Sequence, residues 1–321
     1  MILDETAAQI RRMEIRGAGR IARAAAAALK DHAETVQASD LEAFVAAMDD
    51  AAARLAATRP TAVSLPNAIR RVMSPLRRAT TLSQARSSIV GAADEFIASS
   101  LSAIERIGVF GAHLIRDGDT ILTHCNSDAA LACIEQAKKE GKDIEVFATE
   151  VRPRNQGLIT IRRLNDAGIR TSFIVDSAVR SYINDVDLCI VGADAVTVHG
   201  AVVNKIGTAQ IALAAREART RFVVAAETYK FAPRTILGEL ISIEERDPAE
   251  VLAPEIASTL PFVRVRNPVF DVTPAAYVDL IVTEEGAIPP ALAYVILKEY
   301  LGWAIEEFHK EFTMNGRESD S

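Results

Sequence analysis

The segment Thr120–Ala129, TILTHCNSDA, places a polar thiol where an apolar run ends and a helical pattern begins. The run is typical of a buried strand, and Asn126 and Ser127 are good N-cap residues for the following helix. Cys125 therefore lies where open α/β sheets bind their ligands, beside a helix N-terminus that favours a thiolate or a bound phosphate. The alternative is a structural cysteine, since cysteine is among the residues most often buried.

A second polar strand end occurs in Asp187–Ala195, DLCIVGADA. Leu188–Val191 should be buried, so Asp194 should emerge at the same carboxyl edge of a parallel sheet as Cys125. A thiol and a carboxyl group that face one crevice form a pair for acid and base catalysis. The alternative for Asp194 is a turn residue or a helix cap.

Basic residues occur at the predicted loop ends although the chain has a net charge of −7. Arg16-Gly17-Ala18-Gly19-Arg20 offers backbone N–H groups and guanidinium groups just before a helix, which suits a phosphate. Further basic or polar residues at element ends are Arg59, Arg152, Arg154, Asn204, Lys205 and Lys230. Each alone would be a surface charge, but several converging on one crevice would indicate a polyanionic small molecule.

The sequence predicts no metal and no cofactor. Its five histidines lack ligand spacing, and no CxxC pair occurs. No GxGxxG follows a strand, and no Walker loop or GxSxG elbow is found. Cys133 and Cys189 are expected in the core.

Helical periodicity dominates residues 1 to about 105, beginning with a stretch interrupted at Gly17 and Gly19. The further predicted helices are Arg20–His32, Ser39–Thr58, Asn67–Met73 between Pro66 and Pro75, and Thr81–Gly108. From about Asp119, short apolar runs alternate with helical patterns, which predicts parallel βαβ units. The predicted strands are Thr120–Thr123, Ile144–Thr149, Thr171–Val175, Leu188–Val191, Phe222–Ala226 and Leu280–Val282. The predicted helices between them are Asp128–Glu140, Gly157–Ala167, Ser177–Ile183 and Gly207–Arg219.

The predicted fold class is α/β, with an N-terminal all-helical domain over 1–105 and a Rossmann-like doubly wound parallel sheet over 106–321. The polar tail after Phe312 should be disordered. The acidic net charge gives no support to nucleic-acid or membrane-surface binding. No apolar run approaches 20 residues, and three cysteines suggest reduced thiols in the cytoplasm.

Several motifs spread over most of the chain resemble one superfamily. It comprises ribose-1,5-bisphosphate isomerase, methylthioribose-1-phosphate isomerase and the alpha, beta and delta subunits of translation initiation factor 2B. The motifs are RGAGRIARAAA at 16–26, RPTAVSLPNA at 59–68, THCNS at 123–127, TEVRPRNQG at 149–157, GADAVTVHGAVVNKIGT at 192–208, ETYKF at 227–231 and NPVFDVTP at 267–274. The RGAGR segment is most similar to archaeal ribose-1,5-bisphosphate isomerases.

This resemblance implies an aldose–ketose isomerase acting on a phosphorylated pentose, with Cys125 and Asp194 as catalytic residues. It assigns phosphate and sugar contacts to Arg16, Gly17, Ala18, Gly19, Arg59, Ser127, Asp128, Ala129, Asn204, Lys205 and Lys230. It also implies a homo-oligomer, a dimer or a hexamer, and points to AMP as an activator. If the substrate is ribose bisphosphate, nucleotide degradation that supplies a Rubisco is the implied context.

The expected mechanism needs a protonated Asp194 and a Cys125 thiolate. Burial and two phosphates should raise the pKa of Asp194. The pKa of a free thiol, about 8.5, would have to fall by about 2 units, more than a helix N-terminus supplies, so nearby Arg or Lys should contribute.

Two alternatives remain open. A methylthioribose-1-phosphate isomerase would need an apolar pocket where a second phosphate needs cations, and the arginines at 16, 20 and 59 favour the bisphosphate. A regulatory subunit that binds without catalysis would not need both Cys125 and Asp194.

Overall fold

A computed structural model of the chain describes residues 2–299. Between Ile2 and Ala112 the chain is helical, and the apolar faces of its helices share one core around Phe44 and Phe96. The helices are α1 (Ile2–Arg11), α2 (Ala18–Thr35), α3 (Leu41–Ala56), α4 (Ser64–Met73) and α5 (Leu82–Ala112).

The helical prediction for this region is confirmed, with three corrections to its boundaries. Helix α2 begins at Ala18, directly after Gly17, whose φ of 90° few other residues adopt. Pro66 lies inside the first turn of α4, where the missing N–H would have no partner in any case. Helix α5 continues beyond the predicted boundary at residue 105, and the division into two domains stays a prediction.

The second part of the chain forms a seven-stranded sheet in the order β11-β10-β7-β4-β1-β2-β3. Its strands are β1 (Thr120–Thr123), β2 (Glu145–Thr149), β3 (Arg170–Ile174), β4 (Leu188–Gly192), β7 (Arg221–Ala225), β10 (Leu280–Thr283) and β11 (Gly286–Ile288). All neighbours pair in parallel except β11, which is antiparallel to β10. The predicted strands are therefore confirmed, and β11 is an additional edge strand.

Helices lie on both faces of this sheet, as the doubly wound prediction requires. They are α6 (Asp128–Lys139), α7 (Gly157–Asp166), α8 (Val179–Tyr182), α9 (Thr208–Ala218) and α11 (Ala293–Glu299), whereas α10 (Pro254–Ala257) is a short helix with no buried residue. Successive strand residues face opposite sides. In β4, Leu188 and Ile190 join the core that includes α6, while Cys189 and Val191 join the core that includes α9. The predicted helix Ser177–Ile183 contains one α-helical turn, α8, which is flanked on both sides by 3₁₀ residues.

A second, four-stranded sheet was not predicted. Its strands are β5 (Ala195–Thr197), β6 (Val202–Lys205), β8 (Phe231–Ala232) and β9 (Phe270–Thr273), in the order β8-β5-β6-β9. Strand β5 begins directly after Asp194, and β6 ends with Asn204 and Lys205, so this sheet carries several candidate site residues. The predicted disordered tail lies outside the described residues.

Candidate active site

The site forms where the strand order of the large sheet reverses. From β1 the chain continues to β2 and β3 on one side and then returns to β4 on the other side of β1. Such a switch point leaves a crevice at the carboxyl ends of the two central strands. Cys125 follows β1 and Asp194 follows β4, and both side chains line one cavity of about 590 Å³. The prediction that they share a crevice is confirmed.

A contact between β4 and α6 sets the spacing of these two strand ends. Ser127 is the N-cap of α6, and its hydroxyl accepts a hydrogen bond from the Ala130 N–H at 3.3 Å. A Cβ atom on Gly192 would lie 2.5 Å from the Cβ of Ser127, so only glycine permits this approach. Cys125 has a φ of 69°, a left-handed conformation at the turn between β1 and α6.

The Cys125 thiol is hydrogen-bonded and partly buried. Its Sγ lies 3.6 Å from Oε1 of Gln156, to which it donates. Burial raises the pKa of the thiol above its ordinary value, while the Lys205 ammonium lowers it and Asp194 raises it further. The expected low thiol pKa is therefore not produced by the groups of the chain.

The neighbouring His124 is a buried anchor. Its Nε2 lies 2.9 Å from the Ile206 carbonyl and its Nδ1 lies 2.6 Å from the Thr149 hydroxyl. Because a carbonyl only accepts, Nε2 carries the proton and Thr149 donates to Nδ1. Burial lowers the pKa of this imidazole, which favours the neutral form. His124 therefore fixes the end of β1 against the residue that follows Lys205.

The pKa of the Asp194 carboxyl group is raised, which is the direction expected for a group that donates a proton. Burial raises the pKa of its carboxyl group above the usual range, although nearby cations act in the opposite direction. These cations are Lys205, Lys230, Arg59 and Arg246.

Most cations in the cavity are held by the protein itself. Arg16 Nε donates to the Met13 carbonyl at 2.6 Å, Arg59 pairs with Glu244 at 2.6 Å, and Lys230 pairs with Glu227 at 2.6 Å. These three cations of the cavity lining therefore each have a partner within the chain.

Asp128 connects the helical region to the sheet. Its carboxylate accepts from Arg20 of α2 at 3.1 Å and from Arg163 of α7 at 2.9 Å. Burial alone would raise the pKa of Asp128, but the hydrogen bond and charge of Arg20 and the charge of Arg163 keep it below its usual value. Asp128 is therefore an ion-pair centre at the rim of the cavity.

The structure brings nearly all the predicted site residues to this cavity. Its lining includes Arg16, Gly17, Ala18, Gly19, Arg59, Cys125, Ser127, Asp128, Asp194, Asn204, Lys205 and Lys230. Ala129 is the exception, because its side chain is buried in the core beneath α6. Arg152 and Arg154 do not line the cavity, and Arg154 instead pairs with Glu250. The substrate-binding roles of all these residues stay predictions.

Among the lining residues that sequence reasoning did not single out are three with a charged or amide side chain, Gln156, Glu227 and Arg246. Gln156 and Glu227 follow strands β2 and β7, and their positions in the TEVRPRNQG and ETYKF motifs could have revealed them. Arg246 comes from the long excursion between β8 and β9, where no sequence pattern indicated a site.

The described residues, 2–299, contain neither a candidate metal site nor a helix suited to span a membrane. No group of three or more His, Cys, Asp or Glu side chains is arranged to hold a metal ion there. Nor is any helix in that range both long and apolar enough to cross a membrane.

Comparison with known proteins finds relatives that match nearly the whole chain. Residues 14–290 match the initiation factor 2 subunit family. The ribose 1,5-bisphosphate isomerase of Methanocaldococcus jannaschii is 54% identical over 302 residues, covering 94% of this chain and 96% of its own. The enzyme of the same name from Archaeoglobus fulgidus is 54% identical over 317 residues, covering 98% of both chains.

Solved structures show the same fold. The translation initiation factor eIF-2B of Pyrococcus horikoshii OT3 superposes with a TM-score of 0.78 and 34% identity, covering 90% of this chain and 97% of its own. The 5-methylthioribose 1-phosphate isomerase of the same organism superposes with a TM-score of 0.76 and 32% identity, covering 92% of this chain and 86% of its own.

Proposed function

The chain belongs to the initiation factor 2 subunit family, and we propose that within it the chain is an isomerase that converts ribose 1,5-bisphosphate to ribulose 1,5-bisphosphate. The observation that carries this proposal is the cavity shared by a thiol, a carboxyl group of raised pKa and several cations. Two phosphates require such cations, and a C2-to-C1 proton shift requires an acid and a base.

In the proposed mechanism, ring opening comes first. Asp194 donates its proton to the ring oxygen, and the electron pair of the C1–O bond moves to that oxygen, which leaves as the C4 hydroxyl. The Cys125 thiolate then removes the C2 proton, and the C2–H electron pair forms a C1–C2 double bond. This gives an enol that still carries the C1 phosphate.

The second half of the reaction returns Asp194 and Cys125 to their starting protonation states. The Asp194 carboxylate takes the proton of the C2 hydroxyl, which becomes a carbonyl, while C1 takes the proton held by the thiol. The product is ribulose 1,5-bisphosphate, with Asp194 again protonated and Cys125 again a thiolate. No external acid, base or oxidant is needed.

The pKa values of Cys125 and Asp194 determine which fraction of the enzyme holds the protonation state that the mechanism needs. Burial raises the pKa of both groups, and the ordinary thiol pKa lies well above that of a carboxyl group. Burial therefore opposes the loss of a proton from both the carboxyl group and the thiol, and the two titrations are coupled. The reactive form, a thiolate beside a carboxylic acid, is one protonation state of this coupled pair.

The alternative is a methylthioribose-1-phosphate isomerase, whose substrate has an apolar 5-substituent. The cations Arg16, Arg59 and Lys230 line the cavity together with its apolar side chains, and they favour the bisphosphate because a second phosphate needs such cations. Turnover assays with ribose 1,5-bisphosphate and with methylthioribose 1-phosphate distinguish the two. We expect turnover of the bisphosphate at least about 100-fold more efficient, since a site built for a charged group rejects an analogue that lacks it.

Absence of turnover with both sugars would contradict the proposal and would favour a regulatory binding protein. We also propose that the chain acts in the cytoplasm, in nucleotide degradation, as a homo-oligomer (a dimer or a hexamer). Light scattering of the purified chain tests the oligomer directly, and a monomer would contradict it.

A further inference from the structure

Arg59 lines the cavity from the loop between α3 and α4, yet the partner of its side chain comes from a distant part of the chain. Its Nη2 donates to Oε2 of Glu244 at 2.6 Å, although the two residues are 185 positions apart in the sequence. Glu244 belongs to the excursion between β8 and β9. The pair therefore connects the helical part of the chain to the α/β part beside the cavity.

This ion pair is largely shielded from water. The side chains of Arg59 and Glu244 are 11% and 26% exposed. Fully exposed ion pairs are screened by water and hold their side chains weakly. A shielded, charge-assisted hydrogen bond of this length is among the stronger ones, so it restricts the orientation of the guanidinium.

The carboxylate approaches Arg59 from outside the cavity. Arg59 and Met13 belong to the cavity lining, whereas Glu244 does not. Arg59 Nη1 also donates to the Met13 sulfur at 3.0 Å. A guanidinium has more N–H donors than these two contacts use, so donors remain for an anion in the cavity. Glu244 is thus placed to orient Arg59 without occupying the position of a bound anion.

Paired backbone holds Glu244 in place. Its carbonyl accepts a hydrogen bond from the Val269 N–H at 2.9 Å. The next residue, Glu245, forms an antiparallel bridge with Pro268. These contacts lie directly before β9, so the carboxylate is presented by a segment that is fixed to the small sheet.

A second guanidinium of the lining shares the same carboxylate. Arg246 Nε lies 3.5 Å from Oε1 of Glu244. Glu244 therefore bridges two arginines, Arg59 and Arg246, that both line the cavity. One carboxylate between two guanidinium groups leaves an excess of positive charge, which favours an anion at this part of the cavity.

We propose that Glu244 is a positioning residue for ligand binding, whose carboxylate holds the Arg59 guanidinium in the orientation that binds a phosphate group of the substrate. Glu244 acts through Arg59 and does not touch the substrate. The inference rests on the proposed function, which supplies the phosphate that Arg59 binds. Because the phosphates are not the atoms that exchange protons, loss of Glu244 should weaken binding and leave the chemical step nearly unchanged.

The test is substitution of Glu244, with binding of ribose 1,5-bisphosphate measured by calorimetry in the full-length protein. E244M removes both the charge and the acceptor, and we expect the dissociation constant to rise about tenfold while kcat stays within about twofold. E244Q keeps an oxygen acceptor without the charge, so it should lose only about threefold. The double variant R59M/E244M should bind within about twofold of R59M alone, because Glu244 acts through Arg59.

The matched control is E250M. Glu250 lies in the same excursion and also pairs with an arginine, but that partner, Arg154, does not line the cavity. The dissociation constant of E250M should stay within about twofold of that of the wild type. A loss as large as that of E244M would indicate a general weakening of the excursion and would overturn the proposal.

Other outcomes would also overturn it. An unchanged dissociation constant in E244M would do so, and a lower one would show that the carboxylate competes with the ligand for Arg59. Losses that multiply in R59M/E244M would mean that Glu244 acts by another route. If E244M fails to fold by circular dichroism, E244Q and R59M/E244Q replace the methionine variants.

Binding and turnover of the wild type separate this inference from the proposed function. A wild type that binds ribose 1,5-bisphosphate without converting it would contradict the isomerase, while the effect of E244M on binding would still decide the role of Glu244. A wild type that does not bind the bisphosphate would overturn both.

Discussion

Lys230 and Glu227 form an ion pair of 2.6 Å although their side chains are only 7% and 2% exposed. The Glu227 carboxylate also accepts from the Tyr229 hydroxyl at 3.0 Å. That hydroxyl lies 3.1 Å from the Ser100 Oγ, which accepts from Arg23 at 3.1 Å. A continuous hydrogen-bonded chain therefore runs from α2 and α5 to the wall of the cavity.

Removal of one partner of this pair should destabilise the protein strongly. E227Q leaves the Lys230 ammonium buried without its carboxylate, and we expect the free energy of unfolding to fall by about 3 kcal/mol. The double variant E227Q/K230M should recover part of this loss, because no buried charge is then left unpaired. Urea unfolding of the single and double variants measures the coupling, and strictly additive losses would show that the pair does not interact.

Cys125→Ser should lower the turnover number about 100- to 10,000-fold, the usual contribution of a positioned acid or base. A serine hydroxyl keeps the shape of the side chain but cannot supply an anion near neutral pH. Substrate binding, measured by calorimetry, should change little. Cys189→Ala is the control, because that thiol lies in the core away from the cavity. Activity near that of the wild type in the serine variant would remove Cys125 from the mechanism.

Asp194→Asn should change the shape of the pH profile as well as the rate. The wild type should give a bell, because activity needs one proton shared between two groups of raised pKa. With asparagine, only the thiol titrates, so the residual activity should rise with pH and reach a plateau without an alkaline decline. Steady-state rates between about pH 5 and 10 provide the measurement. A bell that persists in Asp194→Asn would assign the alkaline limb to another group.

Asp128→Asn should weaken the attachment of α2 to the sheet. The pKa of Asp128 is lowered in the folded protein, so its stabilisation is present above the unfolded pKa, about 3.9, and is lost as the pH falls through the folded pKa. We expect a loss of about 1 kcal/mol at pH 7, because the Arg20 side chain is half exposed. The difference from the wild type should vanish at about pH 2 to 3.

Urea unfolding of Asp128→Asn and of the wild type, at pH 7 and at about pH 2 to 3, measures this difference in stability. Asp94→Asn, which removes a more exposed carboxylate that pairs with Lys30, is the control and should lose less stability. A loss for Asp128→Asn that is the same at both pH values would mean that packing, rather than charge, accounts for it.

The large sheet could be predicted from sequence because parallel strands that are buried on both faces leave continuous apolar runs. Strands β1 and β4 were placed correctly for that reason, and the polar residues after them, Cys125 and Asp194, then had to meet at one edge. The predicted core positions of Cys133 and Cys189 are confirmed by their burial.

The small sheet could not be predicted in the same way. Strands β5 and β8 contain three and two residues, too few for a periodic pattern. Strand β6 pairs with β9, which is distant in sequence, so the contact between Lys205 and Phe270 has no local signal. The raised pKa of Cys125 was missed because it depends on burial, which a single sequence does not quantify.

The close approach of Gly192 to Ser127 has a consequence for the range of substrates that the fold can accept. Gly192 precedes Asp194 by two residues, and Ser127 follows Cys125 by two. The spacing of Cys125 and Asp194, the proposed base and acid, is therefore constrained by a contact that leaves no room for a side chain at residue 192. Substitutions elsewhere in the cavity lining should therefore change which sugar fits without changing the distance between the two proposed reacting groups.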